Sequence, residues 1–284
     1  MYDYEFLQRY LEGERNFSGV DLSNLQLLGA NLTEVSLPQA KLVNANLSSA
    51  YLASANLERA NLTGANLSQA FLYRANLVST KLQSGNLAGA DLTKADLRGA
   101  LLVRANLQNA KLSGAQLTGV NLREANLHGV NLRGADLRGI NLRSANLTGA
   151  NLSWANLSGA RLSGAKLHNA VLTDVKLQGA YLNGVDLSGF DLSGVDLSEA
   201  KLNGADLRHT NLTGANLQEA RLKLANLLLA MLQAANLDGA DLAEATLDGA
   251  ILARSLYTDE TRFPEGFEPT KLGAVWLVAE SLVA

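Results

Sequence analysis

The chain has 284 residues, a formal charge of −3 and no cysteine. Disulfides and thiolate chemistry are therefore excluded, and no apolar run is long enough to span a membrane. The start Met1-Tyr2-Asp3-Tyr4-Glu5 lacks the basic opening and apolar stretch of a secretory signal, so a cytoplasmic location is expected.

Residues 1–15 form the first unit. Within it, residues 3 to 12 read as a short amphipathic helix, with Asp3 as N-cap, Phe6, Leu7, Tyr10 and Leu11 on one apolar face, and Gly13 as terminator. Its expected duty is a lid, because the first layer of a stacked sheet would otherwise present unpaired backbone groups and bare leucines.

From Leu22 to Leu252 every fifth residue is leucine, without exception. Five steps of about 100° would scatter these leucines around an α-helix. In a straight strand an odd spacing would send successive leucines to opposite faces. A bend after each pentapeptide keeps them all pointing inward, so the chain must wind as a coil of short extended pieces joined by turns. Gly64, Gly89, Gly99 and many others sit two residues after the Leu, where a turn calls for positive φ. The residue two before each Leu is nearly always small, as Ala40, Ala45 and Ala50 are, and faces inward by strand alternation. The intervening Asn or Asp points out.

The unit, exemplified by Ala60-Asn61-Leu62-Thr63-Gly64 and Ala135-Asp136-Leu137-Arg138-Gly139, resembles the A(D/N)LXX motif of the pentapeptide-repeat family, most of all its cyanobacterial members. The resemblance implies an all-β fold, a right-handed parallel quadrilateral β-helix with four pentapeptides per turn. Residues 16–255 then form one solenoid domain, and forty-eight pentapeptides counted from Phe17 give about twelve coils and a rod of roughly 58 Å. Asn or Asp precedes Leu more regularly at numbers ending in 6 than at those ending in 1, where Lys41, Tyr51 and Phe71 intrude. Opposite sides of a square are thus expected to share a role.

Residues 256–284 lose the beat and form a non-repeat C-terminal cap. Phe263, Phe267 and Trp276 are its expected anchors, within a tail that carries the apolar stretch Ala274-Val275-Trp276-Leu277-Val278.

Catalysis is not expected, since the regular backbone offers no cleft and no loops on which to build a site. His128, His168 and His209 fall on one face two coils apart, too far for a metal site. The serines have no His or acid placed to activate them, and the glycines cradle no phosphate. No cofactor and no metal are expected.

Three departures from the polar surface carry the partner information. Arginines gather in the middle coils, among them Arg98, Arg104, Arg123, Arg133, Arg138 and Arg143. They are either solvated over neighbouring Asn side chains or a docking patch for an acidic surface. An acidic belt of Asp174, Asp186, Asp191, Asp196, Glu199 and Asp206 is offset by Lys176 and Lys201, and stacks Asp186 on Asp206. Leu224, Leu228, Leu229 and Met231 point to solvent and call for a cover, supplied by the C-terminal tail or by a second molecule, which makes a homodimer through the C-terminal region a candidate. Tyr51, Phe71 and Tyr73 form a smaller aromatic group, either an interface or a supporting ladder.

The expected function is a protein-binding scaffold, a rigid rod presenting patterned side chains to a protein partner. The opening helix, Glu14-Arg15-Asn16-Phe17 and Thr261-Arg262-Phe263-Pro264 are similar to terminal segments of cyanobacterial members, some of which regulate differentiation by binding a transcription factor. The alternative is DNA mimicry of the kind that modulates DNA gyrase, which needs an acidic face along the whole length. Direct nucleic-acid binding is disfavoured because the basic belt is short and lacks interleaved aromatics.

Overall fold

The computed structural model describes residues 3–277. Each pentapeptide makes one bridge residue, its central Leu, and a two-residue turn. The turn is closed by a hydrogen bond from the next inward residue to the Leu carbonyl, as from Ala45 N to Leu42 O at 3.1 Å. At all positions from residue 19 to residue 254 the second turn residue has a positive φ, between 53° and 73°. Glycine takes these angles freely, yet 27 of these corners are not glycine and include Trp154 and Leu224. The fold imposes the corner, and glycine only eases it.

Bridges pair residues twenty apart in parallel, from Asn16 with Ser36 to Asn236 with Leu256. Four pentapeptides therefore make one coil, and the coil has four sides. Counting by bridge residues, side one carries 16, 36, 56 and onward, side two 21, 41, 61, side three 26, 46, 66, and side four 31, 51, 71. Two rungs join neighbouring coils at each residue pair, for example Leu47 N to Asn66 O at 2.7 Å and Asn66 N to Ala45 O at 2.9 Å.

The interior is filled by the leucines, none of the central ones more than 6% exposed, and by the small residues beside them. Burying each Leu stabilises by about 1.5–3 kcal/mol. Where the inward residue is Thr, its hydroxyl finds a carbonyl: Thr80 Oγ1 donates to Leu77 O and Thr210 Oγ1 to Leu187 O, both at 2.8 Å.

Asparagine before Leu has two tasks. Its Oδ1 accepts the N–H two residues on, as from Ser48 N to Asn46 at 3.2 Å, which fixes the turn. Its Nδ2 donates to the residue one coil back, forming a continuous amide ladder on side three from Asn146 through Asn126, Asn106, Asn86 and Asn66 to Asn46. Side one carries shorter stretches of the same ladder, such as Asn76 to Asn56 and Asn236 to Asn216. Opposite sides do share a role, as the numbering pattern predicts.

The ladder is broken at two seams. In the first, among the described residues, no rung joins Asp136 N to Ala115 O, Leu117 N to Asp136 O or Asn141 N to Val120 O, and the Gln116–Asp136 bridge is missing. The second is longer: the amides of Gly164, Leu167, Asn169, Leu172, Asp174, Asp186, Asp191 and Asp196 all lack their rung among the described residues, while Leu162 N to Tyr181 O and Leu177 N to Asp196 O close either end. The cause lies inside. The coil below the second seam puts Val185, Phe190 and Val195 where alanine belongs. Phe190 is too large for that row, remains half-buried, and faces Ala170 one coil above. The overfilled corners hold the two coils apart.

Helix α1 spans Asp3–Leu11. Gly13 has φ +100° and ends it with paired bonds, Glu14 N to Arg9 O and Gly13 N to Tyr10 O, a Schellman stop. Phe6 is fully buried and meets the Phe17 ring edge-on at 4.7 Å, while the Tyr10 hydroxyl donates to Thr33 O at 2.8 Å. Leu11 departs from the expected apolar face: it is 78% exposed, since it lies about 140° around the helix from Phe6. The expected N-cap role of the Asp3 side chain lies outside the described residues.

At the other end the ladder continues irregularly. Strand β1, Leu256–Tyr257, pairs in parallel with β2, Val275–Trp276, and a 3-10 turn at Pro269–Leu272 precedes β2. Phe263 stacks on Phe267 at 5.3 Å and meets Tyr257 edge-on at 5.5 Å, both against the core. Trp276 is no anchor. It is 48% exposed, its backbone covering the sheet edge while its ring stays outside and its Nε1 donates to Asp259 at 3.1 Å. The expected tail residue Val278 lies outside the described residues.

Candidate functional site

The twenty-residue coil decides which surface residues meet. Arg123 and Arg143 share side two, Arg133 lies on side four and Arg138 on side one. The arginines therefore wind around the rod as a collar, and only Arg123 and Arg143 stack.

Their charges are also unequal. In Asp96-Leu97-Arg98, Asp136-Leu137-Arg138 and Asp206-Leu207-Arg208 the guanidinium folds over the Leu onto the carboxylate, with closest contacts of 2.6, 2.7 and 2.6 Å. The arginine hydrogen bonds hold Asp96, Asp136 and Asp206 below their usual pKa. Arg104 and Arg123 converge on Glu124 at 2.6 and 3.1 Å, which lowers the Glu124 pKa, chiefly through the Arg104 hydrogen bond. Arg133 and Arg143 follow Asn instead of Asp, and neither has a carboxylate partner among the described residues. Arg133 lies over the Trp154 ring at 4.2 Å, a cation–π contact. Arg98, Arg104, Arg123 and Arg138 thus lie on carboxylates and Arg133 on an indole.

The acidic belt contains a cation that the sequence reading omitted. Asp186 bridges Asp206 as expected, but Arg208 clamps Asp206 and raises no like-charge stack without a counterion. Asp191 is different: its Oδ1 accepts from Ser193 N and Asn211 Nδ2, and no cation pairs with it among the described residues. Those hydrogen bonds, the Ser193 ones foremost, hold its pKa down, so it stays charged.

The apolar residues spread over three walls: Leu224 follows the side-two bridge residue Arg221, Leu228 and Leu229 follow the side-three residue Asn226, and Met231 lies on side four. Leu224 and Leu229 stand open at separate corners. Leu224 is 59% and Leu229 48% exposed, each at a turn corner with positive φ, and Leu229 rests against Gly249. Leu228 and Met231 are half-buried in the wall. The described part of the tail does not cover Leu224 and Leu229: Phe267 and Pro264 instead line a hollow with Ala245–Asp248. Tyr51 stacks on Phe71 at 4.8 Å and 10°, a supporting ladder whose outer surface is exposed, and Tyr73 stands beside them. Trp154, half exposed, was missed; an aromatic at a turn corner of an otherwise polar skin is the signal that finds it.

Among the described residues no group of His, Cys, Asp and Glu could hold a metal ion, and no helix is long and apolar enough to cross a membrane. The geometry is that of a solenoid repeat protein.

The pentapeptide repeat family model matches eight overlapping or adjoining stretches, residues 16–48, 40–83, 85–123, 100–139, 125–164, 150–189, 191–227 and 230–255. The chain belongs to the pentapeptide repeat family, and its coil is the family's right-handed β-helix. Among solved structures it is similar to HetL, a pentapeptide repeat protein involved in heterocyst differentiation regulation from the cyanobacterium Nostoc, at 34% identity over 89% of this chain and 97% of that one, with a TM-score of 0.45. The Nostoc pentapeptide repeat protein alr5209 is 31% identical over 36% of this chain and 84% of that one, TM-score 0.23. QnrB1, a plasmid-mediated fluoroquinolone resistance protein, is 21% identical over 66% of this chain and 91% of that one, TM-score 0.47. A comparison with curated proteins gave no match.

Proposed function

We propose that this chain is a non-catalytic, cytoplasmic scaffold, a rod of about twelve coils with α1 as one lid and the segment after residue 255 as the other. It acts by presenting its outer walls to a protein partner, and a regulatory role follows if that partner is held inactive. The observation that supports the reading most is the uncovered apolar pair Leu224 and Leu229. Large side chains left in water at rigid corners serve a contact better than they serve the coil. Affinity capture with the wild type and with Leu224→Asp/Leu229→Asp tests it. A protein retained by the wild type and lost from the variant supports the scaffold; an identical set of captured proteins sinks this surface as the contact.

DNA mimicry is the weaker reading. A duplex carries one charge per about 1.7 Å, whereas here Asp96, Asp136 and Asp206 are each neutralised by their own arginine. Inhibition of gyrase supercoiling at stoichiometric protein would reverse this order.

A further inference from the structure

Along the sequence the cations form a short belt without aromatics, but sorted by wall they segregate. From Lys81 to Lys223, side two carries eight cations and one carboxylate, Glu124, although the whole chain is at −3. Arg104 and Arg123 share Glu124, and Lys223 reaches Glu244 in the next coil. The other five, Lys81, Arg143, Arg161, Lys201 and Arg221, have no carboxylate partner among the described residues. All of these but the half-buried Lys201 are exposed. We propose that side two is a binding site for single-stranded nucleic acid, whose phosphates lie along this row.

Backbone pairing holds the row in register. Among the described residues, side two alone keeps every bridge, from Asp21 to Arg262, whereas Gln116–Asp136, Lys166–Asp186 and Val171–Asp191 are missing from the other three walls. At the second seam it stays closed through Leu162 N to Tyr181 O and Tyr181 N to Ala160 O, both at 2.8 Å. From Lys81 to Arg221 the coils therefore succeed one another at about 4.8 Å, over about 34 Å in all. Seven of these eight coils supply a cation, and the eighth supplies the exposed Tyr181, bracketed by Arg161 and Lys201.

A row this long and even matches a polymer that carries a charge on every unit better than it matches the scattered carboxylates of a folded protein. A duplex winds its strands across a straight row and meets it only at the crossings. A single strand can run along it and leaves a base free to stack on Tyr181, and an aromatic among cations that track the backbone is the pattern of such sites. The carboxylates that make the chain acidic lie mostly on other walls, and physiological salt screens exposed charges beyond about 8 Å. A rigid backbone under the row also lowers the ordering cost of docking.

Fluorescence anisotropy with a labelled oligothymidylate longer than the row tests the site. The wild type is expected to bind at about 50 mM salt, with log affinity falling against log salt at a slope of about −3 to −4, as five unpaired cations imply. Arg143→Gln/Arg161→Gln is expected to weaken binding about tenfold and flatten the slope by about 1.4, whereas Arg98→Gln/Arg138→Gln, the same change in charge on side one, stays within about twofold. Tyr181→Ala is expected to weaken binding about fivefold with the slope unchanged. Gln83 and Gln116 already occupy the equivalent repeat positions, so the glutamines fit the coil, and unchanged melting curves verify that the variants fold. No binding at that salt overturns the proposal, as do equal losses from the two arginine pairs or a duplex bound as tightly as the single strand. Displacement by polyglutamate at equal charge concentration would give the wall to an acidic protein, and unchanged affinity in Tyr181→Ala would reduce it to bare charge; either result overturns the assignment. The measurement needs no protein partner, so it stands or falls apart from the capture experiment at Leu224 and Leu229.

Discussion

The coils between residues 41 and 112 and those between residues 162 and 197 share one repeat but differ in how they close. In the first stretch the inward row is Ala, Thr or Gly, every rung is made, and the side-three amides run unbroken. In the second, Val185, Phe190 and Val195 overfill the corners, eight amides lose their rungs, and side three changes from Asn146 to Lys166, Asp186 and Asp206. The contrast teaches that the leucines make the rod, while the small inward residues let successive coils touch. A solenoid can keep its hydrophobic stack and still lose its ladder.

The largest test of that contrast is a charge in the interior. Leu62→Asp is expected to cost more than about 4 kcal/mol and abolish folding, because an unpaired carboxylate would be sealed in. Leu167→Asp should cost less, since Leu167 sits beside the seam at 4% exposure against 0% for Leu62. Urea midpoints of the two variants decide, and equal losses would erase the distinction between the regions.

A smaller effect sharpens the cause. Val185→Ala/Phe190→Ala/Val195→Ala should let the two coils close, slowing hydrogen exchange at the Asp186, Asp191 and Asp196 amides about tenfold or more. Unchanged exchange at those amides would show that the overfilled corners do not open the seam.

The smallest effect compares two arginine clamps. Arg208→Ala is expected to lower the melting temperature at neutral pH more than Arg98→Ala, because Asp206 stacks on Asp186 and would lose its counterion. Both shifts should be small, about 1–2 °C, since exposed pairs contribute little. The sign in pH follows from the depressed carboxylates: Asp206 and Asp96 titrate lower in the folded state than unfolded. Their stabilisation is present above the ordinary Asp value of about 3.9 and is lost as pH falls through the lower folded value. Wild type and both variants should therefore converge in acid, and a difference that persists there contradicts the clamp.

Much of the fold was legible because one signal was repeated without error. The Leu beat fixes the interior, the paired preference for Asn on numbers ending in 6 marks opposite walls, and the glycines mark corners. What escaped depends on size and pairing instead of period. Phe190 reads as one more inward apolar residue until its neighbour Ala170 shows that the row has no room for it. Arg208 was overlooked because its carboxylate lies two residues back across a buried Leu. The arginines cluster along the sequence, yet five residues separate adjacent walls, so only Arg123 and Arg143 take the same position on adjacent coils of one side. Leu11 and Trp276 were counted as buried on apolarity alone, and their positions around α1 and outside β2 leave them in water.

The twenty-residue register of the bridges makes the rod's wall assignment a matter of counting. Excising one pentapeptide from the middle would leave every leucine stacked, yet rotate everything downstream by a quarter turn and give each partner a different wall. Excising four would shorten the rod and leave its compass intact. Length and facing are thus independent dials in this molecule, each set by the number of units, and insertions that are not multiples of five are the ones the architecture forbids.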